Sequence, residues 1–267
     1  MNASMAWGRA VAALGLVWSL AACAALPGDT SALYLRALEL EEAAGDDGPV
    51  LARAAVAYAQ AAERGHAAAM NNLGLLFHRG RGVARDDGEA RAWFERAVAA
   101  GYEGARVNLG LVCFYGFGGE RDVAAAREQW QLAAERGDGR AAALLGSWHY
   151  EGAAGSPVDR AEAVRWYAIA APAGETTAQH RLGLCLLRGD GVDADAAAGV
   201  AWLQRAAANG SAQAQRDLAL CLQRGTGIAK DEVAARTWLA RAAASGDPAA
   251  QATVAGLSAQ AAAPVRD

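Results

Sequence analysis

GHAAAMNNLGLLFHRGRGVARDDGEARAWFERAVAA, the stretch from Gly65 to Ala100, decides the fold because the chain after it repeats this pattern with its small residues in place. Successive copies open at glycines spaced 36, 36, 37, 36 and 36 residues apart: Gly65, Gly101, Gly137, Gly174, Gly210 and Gly246. A fixed period of this length is typical of stacked repeats, in which one unit alone cannot bury its apolar face. The sequence therefore predicts one elongated solenoid instead of separate globular domains.

The first half of each unit has the pattern of a helix that ends at glycine. In the first copy Ala69, Leu73 and Phe77 recur at helical spacing and define one buried face. The pair Gly80 and Gly82 follows, and glycine reaches the left-handed backbone of a helix end without steric cost. We therefore predict that each first helix runs from just after the opening glycine to the paired glycines.

The second half of each unit has the pattern of a capped helix that carries an aromatic residue. Asp86 stands where an N-cap is needed, and Glu89 three residues later completes a reciprocal capping box, as do Asp159 and Glu162 in the third unit. Trp93 then points inward. A small residue after each Leu of the first helix lets neighbouring backbones approach, and the aromatic is expected to fill the wider gap between units.

The segment AERGHAAAMNNLGLLFHRGRGVARD, residues 62–86, followed by AxxWFxRA at residues 90–97, resembles the Sel1-like repeat, a relative of the tetratricopeptide repeat. The resemblance implies an all-α, right-handed α-solenoid of helix-turn-helix repeats. Five repeats span residues 65–245, and we number them 1 to 5. Local departures are Gly152-Ala-Ala-Gly155 in repeat 3, with one extra residue, Cys113 in repeat 2 where an aromatic is usual, and Trp130, displaced by one position.

The segments outside the repeats have distinct patterns. Residues 1–22 carry an early Arg9, an apolar run and small residues, which are typical of a signal peptide. Leu-Ala-Ala-Cys at residues 20–23 resembles the bacterial lipobox, which implies palmitate or another lipid on Cys23. Ala24 then favours the periplasmic leaflet of the outer membrane. The alternative is a soluble secreted protein cut by ordinary signal peptidase, which also accepts these small residues.

The rest of the chain divides into a tether and caps. We predict a tether at residues 23–30, a degenerate N-terminal repeat at residues 31–64, a C-terminal capping helix at residues 246–262 and a frayed tail at residues 263–267. The degenerate repeat keeps the register of the others, since Ala54 and Tyr58 lie 36 residues before Ala90 and Phe94.

Composition and cysteine usage exclude several functions. The formal charge of −4 and a pI near 5.6 argue against a nucleic-acid partner, which would need a concentrated basic surface. Cys113, Cys185 and Cys221 are expected to be buried small hydrophobes without disulfides, and their spacing supplies no metal site. The cysteine-rich branch of the family that this sequence resembles, which is linked to β-lactam binding, is therefore a poor match to this chain.

Catalytic motifs are missing from the sequence. It contains no Gly-x-Ser-x-Gly, His-Glu-x-x-His, phosphate-binding loop or Ser-x-x-Lys motif, and its Gly-x-Gly pairs follow helices instead of strands. The histidines His66, His78, His149 and His180 are scattered over the units, and no orienting partner is evident in the sequence. We therefore expect surface or groove residues instead of a catalytic base. We therefore predict no catalytic residue, no cofactor and no metal.

A binding surface remains as the candidate site. In the related tetratricopeptide fold the first helices line the concave face. The resemblance therefore implies that the residues at equivalent register positions of this chain lie on a concave face, and these residues include five arginines and an aromatic patch. Arginine suits bidentate capture of carboxylates, and the alternative is a charged, solvated face without a ligand. The predicted partner-binding residues are Asn71, His78, Arg79, Phe114, Tyr115, Arg140, Tyr150, His180, Arg188, Arg216, Gln223 and Arg224.

These observations lead to one functional hypothesis and two alternatives. The hypothesis is a non-enzymatic adaptor or scaffold, lipid-anchored at the bacterial cell envelope, which binds a partner protein or peptide through its concave face. The first alternative is an envelope hydrolase or a binder of cell-wall or β-lactam-type compounds. The second is a purely structural spacer.

Overall fold

In the computed structural model, which describes residues 29–262, the chain forms thirteen α-helices and one short 3₁₀ turn, joined by loops, with no strand in that range. The all-α repeat fold predicted from the sequence is confirmed. The helices are α1 Thr30–Ala44, α2 Gly48–Glu63, α3 Ala67–Arg79, α4 Asp87–Ala99, α5 Ala105–Tyr115, α6 Val123–Glu135, α7 Gly139–Glu151, α8 Arg160–Ala170, α9 Thr176–Arg188, α10 Ala196–Ala208, α11 Ala212–Arg224, α12 Glu232–Ala244 and α13 Pro248–Ala262.

The helices form two compact units, one within Met1–Ala133 and the other within Ala134–Asp267. In the first unit α1 packs on α2, α3 packs on both α2 and α4, and α4 also contacts α5. In the second unit α7 packs on α8, α9 on α8 and α10, α11 on α10 and α12, and α12 on α13. Within each unit, the two helices of a repeat therefore bury apolar surface partly against each other and partly against a neighbouring helix pair.

Several predicted segments fall outside the described residues. The signal peptide at 1–22, the lipidated Cys23, nearly all of the tether at 23–30 and the tail at 263–267 lie there, so these stay predictions. The stretch predicted as a degenerate repeat holds the helix pair α1 and α2, and the predicted capping segment holds α13. Within the described range, no helix is long and apolar enough to cross a membrane.

Aspartates begin the second helices, but the capping box predicted for them is only half formed. The Asp86 side chain accepts a hydrogen bond from the Glu89 N–H at 3.0 Å, and Asp159 does the same for Glu162 at 2.9 Å. The aspartate N–H donates instead to the last turn of the preceding first helix, at 2.8–3.0 Å. These bonds join Asp86 to Phe77, Asp122 to Cys113, Asp159 to His149, Asp195 to Leu186 and Asp231 to Leu222. The reciprocal glutamate bond was therefore a wrong prediction, because a bond between the two helices takes the same donor.

The paired glycines do two different things. The first of each pair ends the first helix in a left-handed conformation, as at Gly80 with φ +66°. The second packs against main chain at the start of the second helix of the preceding pair, where an added Cβ would overlap backbone atoms. These contacts join Gly82 to Leu51, Gly118 to Asp87, Gly191 to Arg160 and Gly227 to Ala196, always 31 residues apart. The second glycine is thus a contact between neighbouring helix pairs and not only a helix stop.

The small residue after each Leu packs within its own repeat. An added Cβ at Gly74 would lie 2.8 Å from the Phe94 ring, and one at Gly146 would lie 2.5 Å from Tyr167. Trp130 covers Gly110 in the same way, so its displacement by one position puts it in register with Phe94. The Trp130 ring therefore packs on the glycine of its own repeat. The expectation that the recurring aromatic fills the gap between repeats stays a prediction.

The extra residue of repeat 3 is accommodated in the turn between its helices. Gly152 ends α7 at φ +67°, and Ala153–Gly155 form a single turn of 3₁₀ helix. Within that turn Ala154 has φ +56°, a left-handed conformation that costs an alanine about 1–2 kcal/mol. The insertion thus leaves both flanking helices intact, at the expense of local backbone strain.

Candidate partner-binding surface

The predicted surface residues are divided between the two compact units. Five belong to the first unit: Asn71, His78, Arg79, Phe114 and Tyr115. Seven belong to the second: Arg140, Tyr150, His180, Arg188, Arg216, Gln223 and Arg224. Exposure separates them further, because Asn71 and His180 are only 5% and 7% exposed, whereas Arg140, Arg188, Gln223 and Arg224 are exposed.

Asn71 joins two repeats and does not face solvent. Its side-chain oxygen accepts a hydrogen bond from the Asn108 amide at 2.8 Å, which links α3 to α5. Its own amide donates to Asn72, which in turn donates to the Tyr58 hydroxyl at 3.3 Å. Buried polar groups need such partners, since an unpaired one is costly. Asn71 therefore belongs to the joint between repeats and not to the exposed surface on which the register placed it.

The predicted aromatic patch of repeat 2 is present in the first unit and includes a residue that the sequence argument missed. The rings of Phe114 and Tyr115 meet edge to face at 5.0 Å, and Tyr115 stacks on Phe117 at 5.4 Å. His78 of repeat 1 lies 5.3 Å from Phe117 and hydrogen-bonds to Asp87 at 2.7 Å. Tyr115 remains 60% exposed, so this patch offers one open aromatic face.

Tyr150 lies between two guanidinium groups in the second unit. Arg160 stacks over its ring at 3.6 Å and Arg181 lies 5.1 Å from the ring centre. Arg181 also pairs with Glu151 at 3.3 Å, and Arg160 donates a hydrogen bond to the Tyr150 carbonyl. These cations are therefore engaged in local contacts that fix the last turn of α7.

A buried polar network connects repeats 4 and 5 with α13. His180 hydrogen-bonds to one Asp217 oxygen at 2.7 Å, and Arg216 pairs with the other at 3.1 Å. Arg216 also pairs at 2.8 Å with Asp247, whose side chain is 3% exposed and caps α13 through the Ala250 N–H. Two predicted site residues, His180 and Arg216, are therefore structural ties. His180 and His78 have acidic partners that were not evident in the sequence.

The protonation of Asp217 follows from these contacts. Burial alone would raise the pKa of this carboxyl, but the hydrogen bond from His180 and the charge of Arg216 outweigh it and lower the pKa below its usual value. The carboxylate is thus ionised at neutral pH and compensates the positive charge of Arg216. Any net positive potential on this face must come from other arginines.

An open cleft lies beside this network, between α9 and α11. It has a volume of about 190 Å³ and is lined by Leu184, Leu187, Arg188, Asp217, Leu220, Cys221, Arg224 and Thr226. The leucines give the cleft an apolar floor. Leu184 and Leu187 pack on the core that includes Val200 and Leu203, and Leu220 is 37% exposed. Arg188 and Arg224 are exposed at equivalent positions of successive first helices. The structure therefore brings two of the predicted arginines together over apolar surface.

Two polar residues that were not predicted from the sequence, Asn108 and Asp217, share one register. Asn108 lies 37 residues after Asn71, and Asp217 lies 37 residues after His180. Both pairs join adjacent first helices with an offset one residue longer than the period. A search for complementary polar residues at that offset would have indicated both links.

The cysteines are buried and free, as predicted. Cys113, Cys185 and Cys221 form no disulfide, and burial raises the pKa of each thiol. Between residues 29 and 262, no group of three His, Cys, Asp or Glu side chains is arranged to hold a metal ion.

Fold and surface together define an α-helical repeat protein with an exposed face on its first helices. The Sel1 repeat family profile matches residues 67–102, 104–138, 139–174, 176–211 and 212–247, so the chain belongs to the Sel1 repeat family. The profile does not include the first helix pair, whose assignment as a degenerate repeat stays a prediction. No curated protein shows a significant match to the chain.

Solved structures show the same fold. A protective antigen present in uropathogenic Escherichia coli strains, which displays an SLR fold, is 30% identical with a TM-score of 0.74 over 85% of this chain. That match spans 48% of the antigen, about half its length. A Sel1 repeat protein from Oxalobacter formigenes is 29% identical with a TM-score of 0.73, over 81% of this chain and 86% of its own. An immunity protein from Pseudomonas aeruginosa, 21% identical with a TM-score of 0.51 over 83% of this chain and 84% of its own, is similar in fold alone.

The family places a broad limit on function. The Sel1 repeat fold is commonly a scaffold for protein interactions, and its members are generally non-catalytic. Such a scaffold acts through the side chains that the fold leaves exposed.

Proposed function

We propose that this protein is a lipid-anchored adaptor of the bacterial cell envelope that binds a partner protein through the first helices of its repeats. The observation that carries the proposal is the cleft between α9 and α11, where exposed leucine surface and two exposed arginines lie side by side. Apolar surface bordered by charge is typical of protein interaction sites. A spacer would need no such cleft.

The anchor is proposed from the lipobox at residues 20–23, whose cysteine would carry the lipid. We expect metabolic labelling with palmitate to mark the wild-type protein in its bacterial host. The Cys23→Ser variant should lose both the label and its place in the membrane fraction. Equal labelling of the two proteins would refute the anchor, and it would leave the binding surface as a separate question.

The binding surface is best tested by photocrosslinking in cells. A photoreactive residue in place of Gln223, exposed on α11, should form an adduct with a defined partner, identified by mass spectrometry. The same residue in place of Ala240, exposed on α12, serves as the matched control. The adduct should be absent from the control and should disappear when Arg188 and Arg224 are both replaced by Glu. Equal adducts from both probes, or none from Gln223, would refute the proposal.

A further inference from the structure

The cleft between α9 and α11 is distinguished by the state of its two exposed arginines. The side chains of Arg188 and Arg224 make no hydrogen bond or ion pair with any other residue in the described part of the chain. Two other first-helix arginines of the second unit are compensated: Arg181 pairs with Glu151, and Arg216 pairs with Asp217 and Asp247. The cleft therefore presents two guanidinium groups whose donors are available to a ligand.

The acidic residue that lines this cleft does not pair with these arginines. Asp217 lines the same cleft, but its two oxygens are engaged by His180 and Arg216. Its charge is thus already compensated within the protein. The cleft is therefore left with an excess of positive charge above an apolar floor of Leu184, Leu187 and Leu220.

The dimensions favour a chain segment over a small molecule. The cavity of about 190 Å³ is smaller than the roughly 300–1,000 Å³ of most small-molecule pockets. Arg188 and Arg224 occupy equivalent positions on adjacent first helices, which places their origins about 10 Å apart by the usual spacing of packed helices. An extended peptide of the polyproline II type rises about 3.1 Å per residue and repeats every three residues, so two side chains three residues apart lie about 9 Å apart on one face.

We propose that this cleft binds an extended acidic segment of the partner protein, in which two carboxylates three residues apart meet Arg188 and Arg224 while apolar side chains between them contact the leucines. Guanidinium groups and carboxylates form charge-assisted, bidentate hydrogen bonds, which makes arginine selective for such a segment. The inference rests on the proposed function, since it specifies the chemistry of the partner that the adaptor binds.

The test is a selection from a random twelve-residue peptide library displayed on phage, with the full-length protein as bait. We expect enrichment of peptides with two Asp or Glu residues three positions apart and apolar residues between them. Single Arg188→Gln and Arg224→Gln variants should each bind a selected peptide about tenfold more weakly, and the double Arg→Glu variant about 100-fold, as expected when charge-assisted hydrogen bonds are lost. Binding of the wild type should also weaken as salt is raised.

Two controls separate recognition from damage to the fold. The Arg127→Glu/Arg236→Glu variant, altered at exposed positions of α6 and α12, carries the same charge change and should bind as the wild type does. A selected peptide with both acids changed to Lys should bind the Arg188→Glu/Arg224→Glu protein more tightly than the wild type. A structural role for these arginines could not produce such an exchange.

Three outcomes would overturn the inference: selected peptides without acidic residues, equal binding by the double Arg→Glu variant, or no enrichment over the library. Different outcomes would refute the proposed function. If the Gln223 crosslink captures a partner whose binding is insensitive to both arginines, the protein is still an adaptor and the acidic segment is wrong. If acidic peptides bind but no crosslink forms in cells, the peptide chemistry is right and the adaptor role is wrong.

Discussion

Replacing Gly118 with alanine tests how one helix pair is held against the next. Gly118 has φ +70°, and a Cβ built there would overlap the Asp87 carbonyl and lie 2.7 Å from the Gly88 nitrogen. These obstacles are main-chain atoms at the start of α4, so no change of side-chain rotamer can relieve them. The turn after α5 must therefore move away from α4, or the backbone must leave its left-handed conformation.

The expected cost has two parts. A left-handed conformation costs a non-glycine residue about 1–2 kcal/mol, and overpacking costs about 1–3 kcal/mol. Gly118→Ala should therefore lower the free energy of unfolding by about 2–5 kcal/mol. Gly101→Ala is the matched control, because Gly101 has φ +85° and no atom within 4 Å of an added Cβ. Only the backbone strain applies there, about 1–2 kcal/mol.

The assay is urea unfolding followed by circular dichroism, with the thermal midpoint as a second readout. In chains of this size 1 kcal/mol corresponds to about 2–4 °C in Tm, so we expect Gly118→Ala to melt about 2–12 °C below Gly101→Ala. Equal losses for the two variants would refute the reasoning, since they would show that Gly118 is required only for its backbone conformation and not for the contact with α4.

Three further predictions concern the buried groups. Arg216→Met leaves Asp247 buried without its partner and should lower the free energy of unfolding by about 2–3 kcal/mol. This is less than the cost of breaking a fully buried pair, because 30% of the Arg216 side chain is exposed. An unchanged urea midpoint would contradict this prediction. The pKa of Asp217 is lowered in the folded protein, so the ionised carboxylate stabilises the fold fully above its usual pKa near 3.8, and this stabilisation is lost as the pH falls through the folded pKa. In urea titrations from pH 7 to about pH 3, the free energy of unfolding should therefore fall less in Asp217→Asn than in the wild type. In the Cys23→Ser variant the three buried thiols should react with a chromogenic disulfide reagent only after denaturation, and rapid reaction of the native protein would show that the thiols are accessible.

The features predicted correctly depend on residues close together in the chain. The left-handed cap at Gly80 and the N-cap at Asp86 each follow from a few neighbouring residues, whose preferences are local. The displaced Trp130 shows where such reasoning ends. Its role became clear only when the structure placed it over Gly110, in register with Phe94.

The candidate surface was less predictable because its residues are selected by contacts between helices. The register placed both Arg188 and Arg216 on the candidate surface, but only Arg216 meets aspartates, one from its own helix and one from the start of α13. His180 was placed on the surface because Asp217, 37 residues away, could not be recognised as its partner from a 36-residue period. Partner-binding roles for the remaining exposed residues stay predictions.

The backbone contacts of the second glycines have a consequence for folding kinetics. Each spans only 31 residues, the bonds from the capping aspartates span 9 or 10, and the polar links between first helices span 37. Because loop closure is cheap at such separations, each compact unit has the low contact order that favours fast folding. Folding can begin in any helix pair and spread to its neighbours. A whole period can thus be duplicated or deleted in evolution while every surviving contact keeps its sequence separation.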